Sequence, residues 1–158
     1  MNKNELKMRL KKLAVKTGWL CFRLPENFIN KIYIGQVARC SSSSASNYRA
    51  ACRGKSKADF INKLRIVEEE LDETMFFYEL LGEFNPDFKI ELRELYIEAN
   101  ELISIVVASI NTAISNEAKE SALKIRNRLP IISGLKSIIN QIILSGFPCD
   151  VQCDHASF

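Results

Sequence analysis

Apolar residues in this chain recur at alternating steps of three and four positions, and this spacing constrains the fold more than any other feature. In the first segment one stripe contains Leu6, Leu10, Leu13, Thr17, Leu20 and Leu24. Because an α-helix has 3.6 residues per turn, residues at this spacing share one face. Similar stripes run over residues 60–81 and 88–113, with no strand-like alternation between them. The pattern therefore predicts an all-α protein.

Turn signals separate four predicted helices. Leu24-Pro25 ends the first helix, and the second runs from about Pro25 to about Arg53. Ser56 is a candidate N-cap for the third helix, which residues 82–86 close. The fourth helix begins after Pro86-Asp87. Four helices with short connections predict an antiparallel up-and-down four-helix bundle over residues 1–115.

Residues 116–158 form a predicted C-terminal extension. Residues 116–128 are polar, and an apolar run with helical spacing follows Pro130. We therefore expect an extra short amphipathic helix over about residues 131–145, ended by Gly146 and Pro148. Its spacing leaves open whether it docks on the bundle, contacts a membrane surface or stays loose. The run contains Lys136 and is too short to span a bilayer of about 30 Å, so we expect no membrane-spanning segment and no membrane partner.

The first helix carries a second apolar stripe on the side opposite the leucines. It consists of Met8, Val15, Trp19 and Phe22. Two opposed apolar stripes require partners on both sides of a helix. A helix buried in a large core would satisfy this requirement, but a small bundle offers few such places. We therefore expect this stripe to form a contact between subunits.

The formal net charge of +3 conceals a strong separation of charge. Residues 1–65 hold 15 Lys and Arg against 3 Asp and Glu, a net charge of +12, whereas residues 66–158 hold 7 against 16, a net charge of −9. The candidate phosphate-binding side chains are Lys7, Lys11, Lys12, Lys16, Arg49, Arg53, Lys55 and Lys57. This asymmetry is typical of a nucleic-acid surface, and it is equally typical of basic helices that pack beside acidic ones.

Residues 40–47 are almost all serine, alanine or asparagine. Composition alone favours a polar linker, because serine and asparagine compete with the helical backbone for hydrogen bonds. Their small size instead permits close approach of a neighbouring helix. We expect these residues to be helical and buried, because a loop would leave Val37 and Tyr48 without a continuous stripe.

The order of residue types over residues 35–81 is distinctive. It comprises Gly35, Gln36, Arg39, Asn47-Tyr48-Arg49, Ala50-Ala51-Cys52-Arg53, Ser56, Phe60, Lys63-Leu64, Glu70, Asp72-Glu73-Thr74 and Glu79-Leu80-Leu81. This order resembles the bacterial four-helix bundle proteins encoded in intervening sequences of 23S rRNA genes, which are sometimes grouped with ribosomal proteins. The resemblance places residues 40–47 inside a helix. Many of these relatives have glutamate where Ala50 stands here, so one acidic partner of their polar network is missing.

The same resemblance implies partners. Its members form ring-like homopentamers, which makes a second copy of this chain the expected partner. A related bundle, the accessory variability determinant protein of diversity-generating retroelements, implies RNA or DNA and a reverse transcriptase as further partners.

No arrangement of residues points to catalysis. Residues 68–73 contain five carboxylates, but a di-metal bundle would also need Glu-x-x-His pairs, and the chain has one histidine, His155. We expect Glu70 or Glu73 to form polar contacts with Arg39 or Asn47 on the neighbouring helix. Cys149, Cys153 and His155 offer three ligands at a spacing unlike zinc sites. We therefore expect no enzyme activity, no cofactor and no metal.

Five cysteines, an odd number, favour free thiols and a reducing cytoplasm. The N-terminus is charged and helical in pattern, unlike a signal peptide. Together with the family resemblance, which implies a bacterial oligomer, these observations predict a cytoplasmic, non-enzymatic protein that self-associates and binds structured RNA or DNA nonspecifically through basic surfaces. The alternative is a protein-interaction scaffold in which the charge separation serves only subunit packing.

Overall fold

A computed structural model describes the backbone of residues 2–144 and the side chains through residue 126. Its helices are α1 (Lys3–Arg23), α2 (Phe28–Ala51), α3 (Lys57–Phe84) and α4 (Lys89–Leu144), and a 3₁₀ turn, Pro86–Phe88, precedes α4. Within this range the chain contains helices and no strand. The all-α four-helix bundle is therefore confirmed.

Side-chain caps fix where the helices begin. Asn2 accepts hydrogen bonds from the backbone of Asn4 and Glu5, and the Glu5 carboxylate accepts one from the Asn2 amide, which makes a capping box. Asn27 caps α2, and the predicted N-cap Ser56 caps α3 by accepting from the Asp59 amide at 3.1 Å.

The third helix ends at Phe84, within the predicted closing segment of residues 82–86. Gly82 is buried inside α3, which continues to Phe84. A Cβ at Gly82 would lie 4.0 Å from Leu92 on α4, so the glycine faces the neighbouring helix. Packing of α3 against α4 therefore outweighs the weak helix propensity of glycine.

The apolar stripes of the four helices meet in one core. Its largest completely buried side chains are Leu10, Leu13, Leu20, Leu64, Leu71, Tyr78, Leu81, Leu92 and Leu102. Helix α4 is long and apolar enough, by length and composition alone, to cross a membrane between Pro86 and Arg126. Core helices of soluble proteins meet the same criterion, and α4 buries Leu92, Ala99 and Val106 in this core.

Polar side chains inside the bundle have partners. The hydroxyls of Thr17 and Tyr78 form a hydrogen bond between α1 and α3. Asn30 and Asn85 exchange two amide hydrogen bonds of 2.8 and 2.9 Å. No buried side-chain nitrogen or oxygen lacks a partner among the residues whose side chains the structure describes. Satisfied polar groups of this kind avoid the penalty of burying an unpaired donor or acceptor.

The serine-rich segment is helical, as predicted, because residues 40–47 lie within α2. Its burial is one-sided: Ser41 and Ser44 are buried, whereas Ser42 and Ser46 are exposed. The hydroxyl of Ser44 donates to the carbonyl oxygen of Ser41 at 2.8 Å. Serine therefore satisfies its own hydroxyl inside the helix while leaving room for a neighbouring helix.

The predicted separate helix over residues 131–145 is corrected to a continuation of α4, which is helical through residue 144. Residues 117–129 are polar but rich in Glu, Ala, Lys, Leu and Arg, which are strong helix formers, so polarity does not end the helix. The helix also continues through Pro130, which supplies no amide hydrogen. The predicted stop at Gly146 and Pro148 lies outside the described residues. The chain divides into two compact units, and the boundary between them falls between Glu117 and Ala118.

Candidate functional site

A groove of about 670 Å³ lies on the surface between α1 and α2. It is lined by four cationic side chains, two apolar ones and four small ones: Lys7, Lys11, Arg49, Arg53, Met8, Val15, Ala14, Ser42, Ala45 and Ser46. No acidic side chain lines it. The small residues come from both helices, so the groove lies between two closely approaching backbones.

The four cations of this groove are unpaired. Among the side chains that the structure describes, Lys7, Lys11, Arg49 and Arg53 form no ion pair. Their positive charge is therefore not neutralised by any side chain in the described part of the chain. A set of converging cations without counter-charges favours binding of an anion, and above all a polyanion.

Other arginines of the bundle have counter-charges. Arg9 on α1 contacts Glu98 at 2.9 Å and Glu101 at 2.7 Å on α4, and Glu98 is the main cause that raises the pKa of Arg9. Arg23 near the end of α1 pairs with Glu91. These ion pairs connect α1 to α4, so Arg9 and Arg23 are paired with glutamates of the neighbouring helix.

The remaining predicted basic residues lie outside the groove. Lys12 and Lys16 lie on the outer surface of α1 beside Met8 and Val15. Lys55 lies in the connection between α2 and α3, where its backbone amide donates to the Asp59 carboxylate at 3.2 Å. Lys57 begins α3. The basic residues at positions 49–57 therefore do not form one cluster. Arg49 and Arg53 line the groove, whereas Lys55 precedes α3 and Lys57 begins it.

A polar network joins α2 to α3. The guanidinium of Arg39 donates to Glu73 at 2.6 Å and to Glu70 at 3.3 Å, and Glu73 is the main cause that raises the pKa of Arg39. The Ser43 hydroxyl donates to Glu70 at 2.8 Å. Asn47 contacts this network through Ser43, to whose hydroxyl its side-chain amide donates at 3.1 Å.

The second stripe of α1 is exposed. Met8 and Val15 are about half exposed, Trp19 is 65% exposed and Phe22 is 84% exposed. The rings of Trp19 and Phe22 meet edge to face with centroids 6.3 Å apart. Aromatic side chains this exposed on a helix are typical of an interaction surface.

The sequence analysis missed an aromatic surface where α2 meets α3. Tyr33 on α2 lies 6.0 Å from Phe77 and 5.9 Å from Phe84, and Phe76 lies 5.5 Å from Phe77, all between ring centroids. Phe76 and Phe84 are 53% and 54% exposed. The available signal was the doublet Phe76-Phe77, which falls between Met75 and Tyr78 of the buried stripe.

Two cysteines of the described chain, Cys21 and Cys40, are poor nucleophiles. Burial raises the pKa of the Cys21 thiol to about 11 and also raises that of Cys40, so both remain protonated and weakly nucleophilic near neutral pH. No group of three His, Cys, Asp or Glu side chains there could hold a metal ion. The cluster of Cys149, Cys153 and His155 lies outside the described residues.

Comparisons with known proteins bear on the fold. No protein-family model and no curated protein matches this chain. A similar solved structure is that of a protein of unknown function from the S23 ribosomal protein family of Bacteroides thetaiotaomicron. It is 27% identical, superimposes with a TM-score of 0.65 and covers 70% of this chain and 99% of its own. This chain is therefore similar in sequence and fold to a member of the S23 ribosomal protein family.

Proposed function

We propose that this protein is a non-enzymatic, oligomeric four-helix bundle of the cytoplasm that binds structured RNA or DNA through the groove between α1 and α2. The observation that carries the proposal is the convergence of Lys7, Lys11, Arg49 and Arg53 without any acidic side chain in the lining. The similarity to the S23 ribosomal protein family member supports a place among the bundles encoded in 23S rRNA intervening sequences.

The spacing of the cations suits a phosphodiester backbone. Lys7 and Lys11 are one helical turn apart on α1, a rise of about 6 Å, while Arg49 lies in the last turn of α2 and Arg53 in the turn that follows it. Lysine contributes a point charge, and arginine can hold two phosphate oxygens at once. The remaining lining residues are apolar or small, so the groove contacts phosphates and reads base edges poorly. Specificity for sequence should therefore be weak.

Self-association would multiply this site. In a homopentamer five grooves would act on one nucleic acid, and linked sites bind far more tightly than a single site does. The exposed stripe of Met8, Val15, Trp19 and Phe22 supports such an assembly. A reverse transcriptase is the further protein partner that the family resemblance implies.

Salt-dependent binding to a short duplex RNA and to a duplex DNA of the same length tests the proposal. The logarithm of affinity should fall against the logarithm of salt concentration with a slope of about −0.9 for each phosphate neutralised. The double variant Lys11→Gln with Arg49→Gln should bind all sequences more weakly and flatten the slope by roughly 2. The matched control is Lys63→Gln with Arg65→Gln, which removes the same charge from α3 outside the groove.

The rival class is a protein-interaction scaffold. A scaffold of this kind should not bind RNA or DNA even at low salt. That result would overturn the proposal. Equal losses in the groove variant and its α3 control would also contradict the assigned site, because net charge rather than the groove would then govern binding.

A further inference from the structure

Two exposed apolar faces lie on different helices of the bundle. The α1 face is the stripe of Met8, Val15, Trp19 and Phe22, and the α3 face consists of Phe76 and Phe84 with Tyr33 and Phe77 beside them. Together they expose far more aromatic surface than scattered surface residues would. Each face is therefore a candidate interaction surface.

The two faces lie on helices that flank α2 from either side. Helix α2 packs against both α1 and α3. On α1 the exposed stripe is opposite the buried leucines, and on α3 Phe76 lies on the side away from the buried Tyr78. The faces therefore point away from the common core in different directions, and one molecule cannot bring its own two faces together.

Opposite charges border the two faces. Lys12 and Lys16 lie beside Val15 on α1. Glu69, Asp72 and Glu79 precede or follow Phe76 by seven, four and three positions, so they share its side of α3. None of these five charged side chains forms an ion pair among the residues the structure describes. The α1 face thus has a cationic border on its Lys12 and Lys16 side, while Glu91 and Glu94 of α4 lie beside Lys16 and Trp19 on its other side. The α3 face has a row of carboxylates along it.

We propose that the α1 face of one copy packs on the α3 face of a second copy of this chain. The proposal rests on the self-association included in the proposed function and assigns its two surfaces. Trp19 and Phe22 would cover Phe76 and Phe84, while lysines of α1 would meet carboxylates of α3. Complementary borders of this kind fix the orientation of an interface and exclude contacts between like faces.

This pairing determines the symmetry of the assembly. Because the two surfaces differ, each copy in a pair retains one unused α1 face and one unused α3 face, so further copies add until a ring closes. Met8 and Val15 belong to both the α1 face and the groove lining, whereas Trp19 and Phe22 lie outside that lining. A contact centred on Trp19 and Phe22, near the C-terminal end of α1, would therefore leave Lys7 and Lys11 accessible. In this arrangement Lys12 and Lys16 would serve assembly, while Lys7, Lys11, Arg49 and Arg53 would serve nucleic-acid binding.

Mixing two variants tests the pairing directly. Trp19→Glu removes the α1 face, and Phe76→Lys removes the α3 face; both positions are more than half exposed, so folding should be retained. Each variant alone should be a monomer of 18.0 kDa by light scattering. An equimolar mixture should form a one-to-one dimer and nothing larger, because only one intact face of each kind remains. Ile114→Lys, at another exposed apolar position, should leave the wild-type assembly unchanged.

Charge reversal gives a second test that disturbs the apolar centres less. Lys16→Glu and Asp72→Lys should each weaken assembly at low salt, and the two changes in the same chain should restore it. Circular dichroism melts identify any variant that fails to fold.

Three results would overturn the pairing. A mixture of Trp19→Glu and Phe76→Lys that stays monomeric would contradict it, and so would a Phe76→Lys variant that assembles as well as the wild type, since α1 faces would then pair with each other or with another surface. A wild-type chain that is monomeric at micromolar concentration would remove self-association itself, while RNA and DNA binding by the groove would still be measured independently.

Discussion

Arginines lie both where α2 meets α3 and where α2 meets α1, and their surroundings differ in charge. At the border of α2 with α3, Arg39 is held by Glu70 and Glu73, and serine and asparagine side chains complete the network. At the border with α1, Arg49 and Arg53 face Lys7 and Lys11 across a groove without acids. The charge of the facing helix decides the outcome: the same kind of side chain forms a structural contact beside α3 and has no ion pair among the described residues beside α1.

The uncompensated border has an energetic cost that other contacts offset. Like charges across the groove repel one another, although water and salt screen exposed charges. Leu10 and Leu13 of α1 are completely buried in the core, and such side chains each contribute about 1.5–3 kcal/mol on burial. Apolar burial therefore holds α1 against α2 despite the repulsion.

The largest expected effect concerns the buried side of α2. Ser44→Leu should lower the free energy of unfolding by about 1–3 kcal/mol, because Ser44 is completely buried and a larger side chain would overpack the contact between helices. Urea denaturation measures this change. Ser46→Leu is the matched control on the groove side, where an exposed site should alter stability by less than about 0.5 kcal/mol. Equal effects at the two sites would mean that the two sides of α2 do not differ in packing.

A smaller effect is expected at the paired border. Glu70→Ala should destabilise the protein by about 1 kcal/mol, because Glu70 accepts hydrogen bonds from both Arg39 and Ser43 and its side chain is only 15% exposed. Removing the groove charges in Lys11→Gln with Arg49→Gln should leave stability unchanged or slightly higher in thermal melts at low salt. If the groove variant lost more stability than Glu70→Ala, those cations would have structural partners after all.

A further expected effect is a pH dependence that reports whether water reaches the partly buried Cys21 thiol of α1. Burial raises the pKa of Cys21 to about 11, above its ordinary value of 9.0. The folded state therefore keeps a proton that the unfolded chain loses, so this contribution to stability is present below about pH 9 and disappears between about pH 9 and pH 11. Unfolding at about pH 8 and about pH 10.5 should show a larger loss for the wild type than for Cys21→Ala. A Cys21→Ala variant with the same loss would show that water reaches this thiol.

Sequence periodicity predicted the bundle because burial in a small all-helical core leaves its pattern at every third or fourth residue. The start of α3 was equally predictable, because the N-cap Ser56 is a local signal that needs no tertiary contact. Periodicity does not predict the continuity of α4 through Pro130, because the polar residues before the proline interrupt the apolar stripe although their helix propensity is high.

The candidate site was predictable in composition and not in geometry. Sequence identified the basic residues, but only the antiparallel packing of α1 on α2 brings Lys7 and Lys11 to Arg49 and Arg53 and excludes Lys55 and Lys57 from the groove. The α3 face could not be read at all from the apolar stripe, because Phe76 lies off the heptad positions and is recognisable only once its exposure is known.

The reciprocal amide pair of Asn30 and Asn85 limits how the helices can slide. Each side chain also donates to a backbone carbonyl, Pro25 for Asn30 and Leu81 for Asn85, so both amides use their donors within one small volume. Leucine contacts tolerate a shift along the helix axis, since one apolar side chain can replace another. A shift of α2 by one turn, about 5.4 Å, would break both hydrogen bonds between the two buried amides and leave each side chain only its local bond to a backbone carbonyl. The pair therefore selects a single axial alignment for the hairpin ends, which gives every copy of the bundle the same surface to present to its neighbour.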